Sequence, residues 1–375
     1  MEKTTLREIA LVFLKLGIIG FGGPAAHIAM MEEEIVRRRR WIDQQKFLDL
    51  LGAANLIPGP NSTELAIHIG YERAGWPGLI VAGVCFILPA ALIVTAIAWA
   101  YVRYGTLPAA GFILYGIKPV VIAIILQALW GLAKTAVKTR VLAVIGLAVL
   151  VLSFLRLNEL ALLFGAGLVV AAIQIVKSRT AKASNVILPL LFQALPAGST
   201  TFSIGAMFLF FLKVGSVLFG SGYVLLAFLR GDLVERYGWL TNEQLIDAVA
   251  VGQVTPGPVF TTATFIGYIL AGGSGAVVAT IGIFLPAFVF VALSGWLVPR
   301  LRESKTMGAF LDGVNAASLA LMVFVMYELG RSAVIDWLTA LLTIVSAVLV
   351  IKFKVNSAWL IAGGAVVGLL AGSIR

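Results

Sequence analysis

The chain states one template twice, and that duplication limits its fold more than any other feature. Leu14-Lys15-Leu16-Gly17 returns as Leu212-Lys213-Val214-Gly215, Trp41 as Trp239, Asp49 as Asp247 and Pro58-Gly59-Pro60 as Pro256-Gly257-Pro258, each 198 positions on. Beyond the Pro-Gly-Pro the spacing shortens by one, so Gly70-Tyr71 answers to Gly267-Tyr268, Gly78 to Gly275 and Leu88-Pro89-Ala90 to Leu285-Pro286-Ala287. A lysine and helix-breaking Gly/Pro clusters are thus copied inside apolar sequence. Duplicated halves, interrupted helices and buried charge are the signature of membrane transport folds.

The apolar character decides the solvent. With 60% hydrophobic and 12% charged residues, and a mean hydropathy of +1.02, the chain suits a bilayer rather than water. Its apolar runs fit helices crossing a hydrocarbon core of roughly 30 Å, about 20 residues each, and it lacks the alternating segments of outer-membrane barrels. The first apolar run carries Lys15 and leads into duplicated sequence, so no cleaved signal is expected. Cys85 stands alone and supports neither a disulfide nor a cysteine metal cluster. The net charge of +10 comes from basic residues that mostly flank apolar runs, which points to topology rather than to nucleic acid.

The predicted spans in the first half are 9–30, 76–102, 108–133, 141–155 and 158–176, and in the second 204–228, 274–298, 307–330, 334–351 and 357–373. Between the first two spans of each half, 46–70 and 244–270 read as paired short helices divided by Pro-Gly-Pro. Neither arm is long enough to cross with ease, so both segments are predicted to be re-entrant hairpins. The fold class expected is an all-α integral membrane protein of two inverted-topology repeats, about ten spanning helices plus two re-entrant hairpins. Residues 1–176 form the first repeat, 177–203 a linker and 204–375 the second repeat.

Five crossings per half turn the second copy upside down, and the charges agree. With Arg37 to Arg40 in the cytoplasm, alternate crossings place Lys134, Lys138, Arg140, Lys177, Arg179, Lys182, Arg300, Arg302, Lys305, Lys352 and Lys354 there too. The opposite face receives Arg103, Arg156, Glu159, Arg230, Asp232, Glu235, Arg236, Arg331, Asp336 and Arg375, which nearly cancel. Both termini then lie outside the cytoplasm, in a bacterial-type inner membrane.

Several residues can carry chemistry. Phe21-Gly22-Gly23-Pro24 and Phe219-Gly220-Ser221-Gly222 interrupt a span, and a helix restarting there aims unpaired N–H groups and its positive dipole end inward. A kink or a close helix crossing explains the glycines equally. Asn55, Pro58, Gly59, Pro60, Asn61 and Ser62 in one half, and Gln253, Thr255, Pro256, Gly257, Pro258 and Thr261 in the other, combine a forced turn with polar donors. Lys15 and Lys213 sit before the breaks, where a lysine costs about 2.5–3.5 kcal/mol unless it meets a cavity, a partner or a substrate. Lys118 is mid-span, but Asn315 stands opposite it. Glu64 has only Thr261 or Thr262 opposite and is either a proton-coupling carboxylate or an ion-pair partner of Lys15. Glu34 and Asp232 match across the halves and are read as loop-edge acids. His27 and His68 are candidates for titration or simple packing, and without Cys or clustered acids they make no metal site. Trp41 and Trp239 read as interfacial anchors. No Walker, hydrolase, zincin or dinucleotide motif occurs in a suitable context, and no cofactor is expected.

Phe21-Gly-Gly-Pro24, Arg38 to Trp41, Phe47-Leu-Asp-Leu-Leu51, Pro58-Gly-Pro60 and Gly70-Tyr71 recur as Phe219-Gly-Ser-Gly-Tyr223, Tyr237-Gly-Trp-Leu-Thr241, Gln253-Val-Thr-Pro-Gly-Pro258 and Phe265-Ile-Gly-Tyr268. Over nearly its whole length the chain resembles a two-domain member of the chromate ion transporter family. The resemblance implies efflux of chromate, or transport of isosteric sulfate, driven by an ion gradient. The first half departs from the family pattern at Ala26-His27, where a Gly-Gln pair is usual, and at Asn61-Ser-Thr-Glu64, where a Glu-Ala-Gln-Gln-like run is usual.

The reading that gathers these features is alternating access around a midplane site. The glycine breaks (Gly22, Gly23, Gly220, Gly222), both Pro-Gly-Pro turns, Lys15 and Lys213 hold a small divalent oxyanion there, while Glu64, His27, His68 and Lys118 are coupling candidates. The lipid bilayer, a coupling proton or other ion, and a second copy in a homodimer complete the expected partners. The alternatives are a passive anion channel, and a membrane-embedded enzyme or scaffold using Glu64, His27 and His68 as acid/base groups.

Overall fold

The structure, a computed structural model, describes residues 5–20, 23–104, 108–155, 157–177, 201–218, 225–302 and 304–374. All regular structure among them is helical. The first half comprises α1 (Leu6–Ile19), α2 (Gly23–Met31), a π-helical segment (Glu32–Arg38), α3 (Gln44–Ala54), α4 (Asn61–Tyr104), α5 (Pro108–Ala136), α6 (Arg140–Phe154) and α7 (Glu159–Lys177). The second comprises α8 (Ile204–Val217), α9 (Leu225–Phe228), a π-helical segment (Leu229–Arg236), α10 (Asn242–Val254), a 3₁₀ turn (Val259–Thr261), α11 (Thr262–Arg302), α12 (Lys305–Ala333), α13 (Trp337–Ile351) and α14 (Ser357–Ile374).

Local chemistry sets many of these limits. Thr5 and Glu8 form a capping box on α1, and Thr241 and Gln244 form one on α10. Asp43, Thr139, Ser203 and Ser304 cap α3, α6, α8 and α12 through side-chain oxygens. The interruptions expected within 9–30 and 204–228 fall between described helices: α1 ends at Ile19 and α2 begins at Gly23, while α8 ends at Val217 and α9 begins at Leu225.

α4 and α11 are helical hairpins rather than single rods. Ala74-Gly75 and Ala271-Gly272 leave helical geometry, with φ of +61° at Gly75 and +63° at Gly272, which glycine adopts without strain. A side chain on Gly70 would collide with the Gly78 carbonyl and with Ala82, and one on Gly267 with the Gly275 carbonyl and Ala279. Residues eight apart lie about 12 Å apart along a straight helix. These contacts therefore require the chain to double back. The Thr264 and Thr280 hydroxyls, 2.7 Å apart, hold the second hairpin closed. The glycine pairs repeated in the sequence are the points where two backbones touch.

The halves exchange partners. α1 packs on α4 and α8 on α11 within each half, whereas α5 packs on α13 and α14 of the other half, and α12 on α6 and α7. The two equivalent pairs α4/α11 and α5/α12 also meet, as a two-fold relation between repeats requires. Gly116, Gly364 and Gly368 bring the α5 and α14 backbones into direct contact. Five helical stretches among the described residues, Asn61–Tyr104, Gly111–Trp130, Glu159–Lys177, Val259–Ser294 and Thr306–Ala333, are long and apolar enough to cross a bilayer. Large apolar side chains such as Val144, Leu147, Ile344 and Trp359 face outward, as a lipid-facing surface requires.

Candidate functional site

The duplicated motifs meet where the halves join. Two prolines leave each Pro-Gly-Pro turn a single backbone donor, and in both turns that donor crosses to the opposite half. The Gly59 N–H donates to the Leu218 carbonyl at 2.7 Å, and the Gly257 N–H to the Gly20 carbonyl at 2.8 Å. Leu218 and Gly20 are equivalent positions, each closing the helix that precedes a glycine break. Positive φ at Gly59 (+137°) and Gly257 (+93°) turns the amides outward. Ala287 lies 3.8 Å from where a Gly59 side chain would begin, and Ala90 2.7 Å from the same point on Gly257. Gly17 lets α1 press on the Phe86 carbonyl and Pro89, while Gly215 lets α8 press on the Ile283 carbonyl and Pro286. The repeated Leu-Lys-x-Gly, Pro-Gly-Pro and Leu-Pro-Ala motifs therefore form two symmetric clasps between the halves.

Polar groups around the first clasp form a network. His27 Nε2 lies 2.8 Å from the Gly20 carbonyl and Nδ1 lies 3.2 Å from Ser62 Oγ. The carbonyl can only accept, so Nε2 carries the proton and Nδ1 accepts from Ser62. Asn61 donates to Asn55 across the turn. Glu64 is 0% exposed with no hydrogen-bond partner on either oxygen, Thr63 Oγ1 and His68 Nε2 are likewise buried without one, and the Glu64 carboxyl presses on Gly59. Around the second clasp the hydroxyls are spent locally. Thr255 donates to Val251, Thr261 to Pro258 and Thr262 to Val259, all carbonyls of their own turn. Gln253 lies in the last turn of α10, one position from its end.

Both lysines have acidic partners 19 residues on. Lys15 reaches Glu34 at 3.3 Å, and Lys213 reaches Asp232 at 2.9 Å. The reading of Glu64 as the partner of Lys15 is therefore corrected, as is that of Glu34 and Asp232 as loop-edge acids. Both acids are buried in the π-helical segments, where widened turns swing them under the preceding helix. The pairs differ in burial, with the Lys15 side chain 48% exposed and that of Lys213 10%. Arg38 and Arg39 share Glu34, and Arg236 shares Asp232. Lys118 pairs with Asp247 of the other half at 3.5 Å, and the Tyr101 hydroxyl donates to the same carboxylate at 2.9 Å. With Asn315 opposite Lys118, the reverse ion pair cannot form.

Of the predicted site, the structure brings together Asn55, Pro58, Gly59, Pro60, Asn61, Ser62, His27 and Glu64 around one clasp, and Pro256, Gly257, Pro258, Thr255 and Thr261 around the other. Gly23, with φ of +77°, opens α2. Gly22, Gly220 and Gly222 lie outside the described residues. The sequence reading missed Glu34, Asp232, Asp247 and Tyr101. Asp247 was marked as duplicated, and an acid within the apolar arm Leu245-Ile-Asp-Ala-Val-Ala was the available signal.

A duplicated helical bundle with apolar crossing helices and interrupted helices meeting between its halves is a multi-pass membrane protein built on an internal repeat. The chromate transporter family profile matches residues 7–171 and again 205–369. A chromate transport protein of Cupriavidus metallidurans is 36% identical over 98% of this chain and 93% of its own length. A probable chromate transport protein of Synechococcus elongatus is 32% identical over 92% and 89%, and a chromate transport protein of Pseudomonas aeruginosa 34% identical over 83% and 77%. No solved structure matches the chain. The chain belongs to the chromate transporter family, which makes it a membrane transport protein.

Proposed function

We propose that the chain is a secondary transporter that exports a small divalent oxyanion, chromate or isosteric sulfate, across a bacterial-type inner membrane by alternating access driven by an ion gradient. The observation that carries this is the symmetric pair of clasps. Each joins a mid-span helix break of one half to the Pro-Gly-Pro turn of the other, so the two halves meet at backbone contacts that a rocking motion can exchange. α3 and the short arm of α4, about 16 and 20 Å long at 1.5 Å per residue, are short of the roughly 30 Å a crossing needs. Read as re-entrant hairpins, they leave ten crossings and an inverted second half.

In this scheme the anion passes between the turns, met by the amides that open α2 at Gly23, with Gly22, Gly220 and Gly222 assigned to the same role from their place in the duplicated sequence. Polar groups of Asn55, Asn61, Ser62, Gln253, Thr255 and Thr261 complete the lining. Lys15 and Lys213 supply positive potential and trade Glu34 and Asp232 for the anion in transit. The test is radiolabelled chromate and sulfate flux in proteoliposomes of the full chain, with ion gradients of either sign. Accumulation against the anion gradient, lost in Lys213→Ala, is expected. Flux that only equilibrates makes the protein a channel, and absence of flux for both anions removes the substrate class.

A further inference from the structure

The two arms that follow the Pro-Gly-Pro turns differ in a way their shared motif leaves unexplained. Asn61, Glu64 and His68 follow at i, i+3 and i+7, which places them on one face of the short arm of α4. The corresponding face in the second half carries Val259, Thr261 or Thr262, and Phe265 or Ile266. The first arm thus has an acid and an imidazole where the second has hydroxyls that bond their own backbone.

Glu64 is wholly enclosed, and neither carboxyl oxygen has a hydrogen-bond partner. Most ionisable groups on the elements packed against this helix are committed elsewhere, among them Asp247 on α10, which is held by Lys118 and Tyr101. Lys15 on α1 is held by Glu34, and His27 on α2 by Gly20 and Ser62. On α3, Lys46 pairs with Glu72 and Asp49 accepts from Gln45. On α8, Lys213 is held by Asp232. From Thr262 to Ser294, α11 has no acidic or basic side chain. His68 stands one turn along the same arm, buried, with Nε2 unpartnered. A lone carboxylate without counter-charge or donor is costly, whereas the neutral acid fits. Outward of Glu64, Asn61 stands one turn earlier on the same face and bonds Asn55, which is exposed at the end of α3.

We propose that Glu64 is a reversible proton-binding site confined to the first half, loaded along Asn55 and Asn61, whose occupancy is read by Gly59. In the step concerned, the carboxyl O–H bond breaks, the electron pair stays on Glu64, and the proton passes to water at the Asn55 end. The new carboxylate lies against Gly59, the one residue of the Pro-Gly-Pro turn with an N–H. That N–H is spent on Leu218 of the other half. Ionised Glu64 competes for it and loosens the first clasp, while the second clasp, with no acid beside it, stays shut. Protonation of Glu64 restores the first. The coupling of this proton to anion movement rests on the transport reading above; the proton site itself does not.

Two measurements separate the site from that reading. Infrared difference spectra of the reconstituted full chain, titrated over pH, should contain a protonated-carboxyl band that is missing in Glu64→Gln and present in Asp247→Asn. A band unchanged in E64Q overturns the proton site, whatever the transport result. In chromate-loaded proteoliposomes with an enclosed pH indicator, E64Q should lower the protons moved per chromate at least tenfold. An unchanged ratio overturns the coupling. If wild-type vesicles move no chromate or sulfate while the band behaves as expected, the transport reading fails and the proton site stands. Asn61→Leu, which keeps Glu64, should slow the appearance of the band after a pH jump, and an unaltered rate overturns the route.

Discussion

The Pro58-Gly59-Pro60 and Pro256-Gly257-Pro258 turns make the same bond across the halves and differ in what stands behind it. Behind the first are Glu64, His27, Ser62 and His68; behind the second are threonines bonded to their own turn. The lysine pairs diverge in the same sense, Lys15 being half exposed among arginines and Lys213 enclosed. The glycines and prolines kept in both turns are therefore those that hold two backbones together. The ionisable side chains behind the turns, Glu64, His27 and His68, are kept in one copy only, and duplication has freed one half to carry them.

The largest test of this division falls on the shared residues. Gly59→Val and Gly257→Val each place a branched side chain at positive φ, about 1–2 kcal/mol, in a site already filled, about 1–3 kcal/mol more. Both should abolish recovery of monodisperse protein on size-exclusion chromatography. Survival of one and loss of the other would break the equivalence of the clasps. Next, Lys213→Ala removes the enclosed partner of buried Asp232, leaving it the 3.6 Å contact of Arg236, and should cost about 3 kcal/mol in thermal or denaturant unfolding. Lys15→Ala leaves Arg38 and Arg39 on Glu34 and should cost no more than about 1 kcal/mol. Equal losses would mean that the lysines are equivalent after all.

The cross-half ion pair offers a finer contrast. Lys118→Met leaves Asp247 with Tyr101 alone and should cost about 3 kcal/mol, while Asn315→Ala, the same position in the second half, should stay within about 0.5 kcal/mol. Smallest is Ser62→Ala, which removes the donor to His27 Nδ1 and should lower stability by about 1 kcal/mol. A shift well above that would assign the His27 network a larger part in the first clasp.

Helix limits were legible because hydropathy and capping are local. The prediction of 108–133 meets α5 at Pro108–Ala136, and that of 141–155 meets α6 at Arg140–Phe154. The clasps were half legible, since the repeats flagged Gly59 and Gly257 but not their acceptors, Leu218 and Gly20, which have no side-chain signal at all. Glu34 and Asp232 were misplaced because charges at the end of an apolar run look like loop residues. A π-helical turn, which changes the angle at which a side chain leaves the helix, has no compositional mark. Pairing of Lys118 with Asp247 depends on which helices touch, and α5 meets α10 only because the halves interlock.

That interlocking bears on how the chain is made. α5 leaves the ribosome long before α13 and α14, the helices it finally packs against. Its glycine surface, Gly116, must therefore wait for Gly364 and Gly368 through the synthesis of almost the whole second half. During that interval the early helices rest in lipid with provisional neighbours, and α12 takes up α6 and α7 only when it arrives. Neither half, inserted alone, has the contacts to finish. Two separately synthesised halves would still contain the described surfaces through which α5 meets α13 and α14, and α12 meets α6 and α7.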